Sequence, residues 1–172
     1  MTEVSKELEA MIRLAAAERG LSPALVAAIC AQESALDPDA MRHEANYRWL
    51  WKVGENAARL KITFRTEEQL QSFSYGIMQI MGSTARSCGF SEPLQKLSDP
   101  RKSLFYGCKY LFSLYERFDR DEPKTAAKWS DVAVAAYNAG SPRRIGPKRF
   151  VNENYVRSVE KFYQEFRGKG WE

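Results

Sequence analysis

A chain of 172 residues with 44% hydrophobic and 12% aromatic content can bury one proper core, which excludes a disordered tail. No apolar run reaches the roughly 18 residues that span a bilayer. Three cysteines, Cys30, Cys88 and Cys108, and the lone His43 offer no disulfide frame, no metal-ligand spacing and no Ser/His chemistry, so neither metal nor cofactor is expected.

The net charge of +4 favours an anionic partner without choosing among nucleic acid, membrane surface and wall polymer. The opening MTEVSKELEAM carries acids among its apolar residues and lacks a continuous apolar core. A secretory leader is therefore not expected, and synthesis and folding in a cytoplasm are.

In the first predicted helix, Val4, Leu8, Met11, Ile12 and Ala15 recur at three- and four-residue steps, and Gly20 supplies the stop. Ser22 as N-cap and Pro23 at the first helical position open a second helix. Residues 41–73 lose this periodicity and read as an insertion lining a surface or groove, with RLKITF the best strand candidate. Ser98 or Asp99, followed by Pro100, starts a long helix whose stripe runs through Leu104, Phe105, Cys108, Leu111, Phe112, Tyr115 and Phe118. Its length and stripe predict the central core helix. A helix capped by Ser130 ends at Gly140, and a last one runs from near Asn152 to Gly168. The fold class is mainly α, one domain over residues 1–172, with a short β or irregular segment expected in the insertion at about 41–73.

Glu33 stands out on this background. It lies four residues after Ile29 and three after Cys30, on the apolar face of the second helix and near its C-terminus. Apolar burial and the negative end of the helix dipole both disfavour the charged carboxylate, so a raised pKa is expected. An acid still protonated near neutral pH suits general-acid cleavage of a glycosidic bond. The plainer reading is a structural acid paired with an arginine.

Two further segments bear on that choice. In SYGIMQIM, residues 74–81, Gly76 allows close backbone approach and Gln79 sets an amide among Ile77, Met78, Ile80 and Met81. The amide serves either a sugar's polar groups or a neighbouring loop's backbone. In AVAAYNAG, residues 133–140, small residues permit tight packing while Tyr137 and Asn138 bring polar groups to a helix end. A core tyrosine and a plain helix terminator are the ordinary reading there.

Taken in order, Glu33-Ser34, Gly76-Ile77-Met78-Gln79 and Ala136-Tyr137-Asn138-Ala139-Gly140 resemble the lytic transglycosylase family, lysozyme-like enzymes related to goose-type lysozyme. The resemblance covers roughly residues 20–145. Ile77 replaces the usual leucine, Gly82 stands where proline is common, and forty-one residues separate Ser34 from Gly76, more than the compact family pattern. The insertion brings Glu44 with Tyr47, Trp49 and Trp51, which suit either a sugar-stacking wall or a mini-core of its own.

The resemblance implies a lysozyme-like fold and cleavage of the β-1,4 bond between N-acetylmuramic acid and N-acetylglucosamine in peptidoglycan. It makes Glu33 the acid that protonates the glycosidic oxygen, with the substrate's acetamido group in place of a second carboxylate. Glu33 then serves as base toward the muramyl 6-hydroxyl, and a 1,6-anhydro end forms without water. Ser34 and Tyr137 are implied to orient Glu33, and Tyr75, Met78, Gln79 and Asn138 to line the muramyl groove. Hydrolysis is the alternative, with Glu44, Asp37 or Asp39 as the second acid.

Two readings of another class remain. Arg143, Arg144, Lys148 and Arg149 suit a basic helical nucleic-acid-binding module, and a non-catalytic wall-binding or virion protein would keep the same fold. The expected partner is the peptidoglycan glycan strand, bound by a monomer without nucleic acid or membrane insertion. An endolysin released through holin-type holes, or an enzyme carried in a virion, resembles an arrangement of this kind.

Overall fold

Caps write the helix starts into the chain. In the computed structural model, which describes residues 4–119, 129–146 and 149–171, α1 (Lys6–Ala17) begins at Ser5, whose hydroxyl accepts from the Leu8 amide at 3.2 Å. Ser22 does the same for α2 (Pro23–Ser34). The insertion then supplies β1 (Met41–His43), α3 (Val53–Leu60) and α4 (Phe64–Gln71), and leads into β2 (Phe73–Tyr75). After these come β3 (Ile80–Met81), α5 (Gly82–Ser87), a 3-10 turn at Leu94–Ser98 and α6 (Pro100–Phe118). The chain ends with α7 (Asp131–Ala139), β4 (Arg144–Gly146), β5 (Arg149–Phe150) and α8 (Glu153–Arg167). Asp99 caps α6, accepting from the Arg101 amide at 2.9 Å, and Ser130 caps α7.

The central helix is α2 and not α6. Residues 24–30 of α2 are wholly buried, whereas α6 buries one stripe and leaves Phe105 37% exposed. Alanines 24, 27 and 28 explain the difference: small side chains all round let neighbours close on every face. α8 packs along α2, α1 touches α2 and α6, and α7 bridges α6 and α8. The Ala24 amide, an orphan donor of the first helical turn, is satisfied at 3.0 Å by the carbonyl of Trp171, itself buried beyond the end of α8. Cys30 and Cys108 are buried free thiols, and Cys88 is half-buried and free. No helix among the described residues is long and apolar enough to cross a membrane.

The segment read from the sequence as an insertion forms one strand and two helices before β2. RLKITF is not a strand: Leu60 closes α3, Lys61 takes a left-handed φ of 56°, and the Thr63 hydroxyl caps α4 by accepting from the Thr66 amide at 3.1 Å. Cap chemistry outweighs the β propensity of Ile62 and Thr63. β1 pairs antiparallel with β2 (Met41 opposite Tyr75, His43 opposite Phe73) and β2 with β3, giving a three-stranded sheet.

A fully buried ion pair locks this layer to α5. The Arg86 Nε lies 2.7 Å from Glu67 Oε1 and Nη2 lies 3.1 Å from Oε2. Arg86 Nη1 donates to the carbonyls of Phe90 and Glu92, and the Gln71 amide donates to Glu67 at 2.9 Å. Around this pair lies a second apolar cluster of Tyr75, Ile80, Ala85, Phe90, Leu94 and Leu97.

Removing one partner strands the other charge in that interior. Arg86→Met is expected to destabilise the fold by about 3–5 kcal/mol in denaturant unfolding, and a loss under 1 kcal/mol would mean that the pair is not a structural anchor.

Candidate active site

The site is organised by a four-residue turn, Gly76 to Gln79. Gly76 has φ +68°, and a Cβ there would lie 2.4 Å from the Leu97 carbonyl oxygen, so only glycine fits. The main chain of this turn is held from several elements at once. Ser34 Oγ, at the end of α2, lies 2.8 Å from the Ile77 carbonyl and 3.1 Å from that of Cys30. From α7, the Tyr137 hydroxyl donates to the Met78 carbonyl at 2.9 Å. Ser103 of α6 accepts from the Met78 amide at 3.2 Å, and the Gly76 amide donates to the Ala40 carbonyl at 2.8 Å.

Glu33 precedes Ser34 and is half-buried. α2 stops directly after it, because Ala35 and Leu36 both take left-handed conformations with φ of 54° and 69°. Glu33 Oε1 accepts from the Tyr155 hydroxyl of α8 at 2.6 Å. Burial raises the Glu33 pKa from its ordinary 4.5; the Tyr155 hydrogen bond and the Arg42 charge pull it down, and the Glu44 charge pushes it up again. Burial and the charge of Glu33 in turn hold the Tyr155 and Tyr137 hydroxyls protonated, well above the ordinary tyrosine range.

The transglycosylase SLT domain family matches residues 10–154. The chain belongs to that family. It is similar to the membrane-bound lytic murein transglycosylase F of two Pseudomonas fluorescens strains, at 28% and 30% identity over 139 residues, which cover 77% of the chain and 26% of each relative. The membrane-bound lytic murein transglycosylase F 1 of Alkalilimnicola ehrlichii is 29% identical over 175 residues, covering 92% of the chain and 28% of that protein. The chain thus spans about a quarter of the length of these curated relatives. No solved structure matches it.

The SLT domain brings Glu33, Ser34, Tyr137 and the 76–79 turn together, but several side chains do other work than expected. Ser34 and Tyr137 make their hydrogen bonds to the turn, so any hold they exert on Glu33 is indirect. Tyr75 is wholly buried on the inner face of β2, its hydroxyl donating to the Leu70 carbonyl at 2.7 Å, and cannot line a groove. Met78 is equally buried, its sulfur fitted against Gly107 of α6, where a Cβ would lie 2.4 Å away.

Gln79 also turns inward. Its amide nitrogen donates to the carbonyls of Ala40 and Gly76 at 2.8 and 2.9 Å, and its oxygen accepts from Ser74 Oγ at 2.8 Å. Those bonds engage the amide nitrogen with backbone carbonyls on both sides. Asn138 is exposed at the end of α7 and accepts from Asn152 at 3.0 Å.

The other acids are engaged locally. Glu44 is paired with Arg42 at 2.6 Å, and Asp37 accepts from the Asp39 amide at 2.9 Å. Among the described residues no cluster of three or more His, Cys, Asp or Glu side chains could hold a metal ion. Of the basic cluster, Arg143, Arg144 and Arg149 lie on or beside the β4–β5 hairpin, while Lys148 is outside the described residues.

Tyr155 is the residue that sequence reasoning missed. Its partner lies 122 positions away, and within NENYVRSVEKFY it reads as one more apolar contact of an amphipathic helix. The available signal was a polar-tipped aromatic in the first turn of that helix.

Because the folded Glu33 holds its proton more tightly than the unfolded chain does, the contribution of Glu33 to stability is fully present below about pH 4.5 and is lost as pH rises through the folded value. Glu33→Gln removes that dependence, so its unfolding midpoint gains on the wild type's as pH rises from about 4.5 through the folded value. Tyr155→Phe deletes the bond that favours the charged carboxylate and moves the Glu33 midpoint upward in a carbon-13 NMR titration. An unchanged midpoint would show that the hydroxyl does not bear on ionisation.

Proposed function

We propose that the SLT domain, acting as a monomer on glycan strands, cleaves the MurNAc-GlcNAc β-1,4 bond of peptidoglycan by transglycosylation. The observation that carries this reading is Glu33: a half-buried carboxyl with a raised pKa, held by one tyrosine at the edge of a rigid turn. The name of the relatives, membrane-bound lytic murein transglycosylase F, supports the same substrate class.

Protonated Glu33 gives its hydrogen to the glycosidic oxygen as the bond to the muramyl anomeric carbon breaks. The acetamido oxygen of the same sugar stabilises the developing positive charge, the role a second carboxylate plays in other glycosidases. The carboxylate left behind keeps the Tyr155 hydrogen bond, which favours its charged form. It then removes the proton of the muramyl 6-hydroxyl as that oxygen closes on the anomeric carbon, so Glu33 ends protonated and no water is consumed.

Hydrolysis keeps one specific observation in its favour, since the Glu44 charge reaches Glu33. Against it, Glu44 is tied to Arg42, which weakens it as a base toward water.

Digestion of purified sacculi followed by mass spectrometry decides between the two. Anhydro-muramyl fragments are expected from wild type, and fragments with only reducing muramyl ends would overturn the transglycosylase reading. Glu33→Gln is expected to reduce the rate by at least about 100-fold, the low end of what a general acid contributes, while Glu44→Gln leaves the anhydro product unchanged.

A further inference from the structure

The segment between β1 and α3 holds an exposed indole on a loop with no regular structure of its own. Trp49 is 74% exposed, the most exposed of the large apolar side chains among the described residues. Its ring and that of Tyr47 meet edge-to-face, 5.6 Å apart at 68°, and most of the indole is left to solvent.

The loop is pinned on both sides of Trp49. On one side the Glu44 amide donates to the Ser72 carbonyl at 2.9 Å, and the Tyr47 hydroxyl accepts from Ser83 Oγ at 2.7 Å. On the other, the Gln71 side chain clamps the main chain of Trp51, accepting from its amide at 2.7 Å and donating to its carbonyl at 2.8 Å. Gln71 is itself fixed by Glu67 and, through it, by buried Arg86. Fixing each residue of an irregular loop costs on the order of 1–2 kcal/mol of backbone entropy, and Trp49 returns little of that as buried area. The pinning fixes the main chain on both sides of a side chain that is 74% exposed.

The same loop is continuous with the site. Its first residue, Glu44, acts electrostatically on Glu33. Ala40, one residue before β1, accepts from the Gly76 amide and the Gln79 side chain, both at 2.8 Å, and Tyr47 is bonded to Ser83, two residues beyond β3. The loop that carries Trp49 is thus tied at Ala40 and Tyr47 to the chain segment of the 76–79 turn.

We propose that Trp49 is the stacking platform of a remote subsite, taking the apolar face of a pyranose ring several sugars from the bond that reacts. This rests on the glycan-cleaving reading above. An indole face matches the axial C–H face of a β-1,4-linked aminosugar, and a pre-pinned loop loses little further freedom when it binds. The platform selects long glycan strands over short ones.

The test uses Glu33→Gln as a non-turning scaffold, with β-1,4-linked N-acetylglucosamine hexamer and dimer as probes in isothermal titration calorimetry. Adding Trp49→Ala is expected to weaken hexamer binding about tenfold, consistent with loss of one aromatic anchor, and to leave dimer binding unchanged. Trp49→Phe, which keeps a flat ring, recovers most of the loss, and equal thermal midpoints show that the variants fold.

Hexamer affinity unchanged by Trp49→Ala overturns the platform even if sacculus digestion yields anhydro fragments, so the two failures are distinguishable. The platform is equally overturned if no hexamer binds the scaffold. It is also overturned if Trp49→Ala removes self-association or binding to phosphatidylglycerol vesicles while glycan affinity stays the same.

Discussion

Everything near Glu33 depends on two main-chain carbonyls, those of Ile77 and Met78. Ser34 at the end of α2 and Tyr137 in α7 each direct a hydroxyl to one of them, so two helices are docked onto the main chain of one turn. The turn tolerates this because Gly76 can take φ +68° against the Leu97 carbonyl, and because the Gln79 amide closes the loop on itself. Glu33 inherits its position from Ser34, its neighbour in sequence. A carboxyl placed in this way has little freedom to find a better-solvated pose.

That fixed position sets two influences against each other on one acid. Burial favours the neutral form, and the Tyr155 hydroxyl favours the charged one. In the proposed cycle the two influences have different uses: burial favours holding the hydrogen, and the tyrosine favours the carboxylate left after it is given up. Burial is the larger of the two, so the net displacement of the Glu33 pKa is upward.

Local chemistry was legible in the chain; facing was not. Ser22-Pro23, Asp99-Pro100 and the span from Ser130 to Gly140 mark helix ends because a cap bonds within three residues of itself. Glu33 could be singled out because Ile29 and Cys30 share its helix face. The inward turn of Tyr75, Met78 and Gln79 could not be read, since it depends on Leu70, Gly107 and Ala40, which only the tertiary fold brings near. The same holds for the bond between Tyr155 and Glu33. The central place of α2 was hidden for another reason: alanine is apolar enough for a core but weak as a stripe signal, and the bulkier stripe of α6 outweighed it.

Residues 41–73 are ordered by polar contacts as much as by apolar packing. A buried ion pair such as Glu67 with Arg86 is a poor source of stability compared with well-packed apolar side chains, so its presence is better explained by what it specifies. It orients Gln71, and Gln71 orients the main chain at Trp51. At the other edge of the same segment, Arg42 and Glu44 bring opposite charges toward Glu33, one lowering and one raising its pKa. Paired at 2.6 Å, they act on Glu33 in opposite directions, with Arg42 the stronger of the two. Both rank below burial and Tyr155, which therefore govern how readily Glu33 parts with its hydrogen.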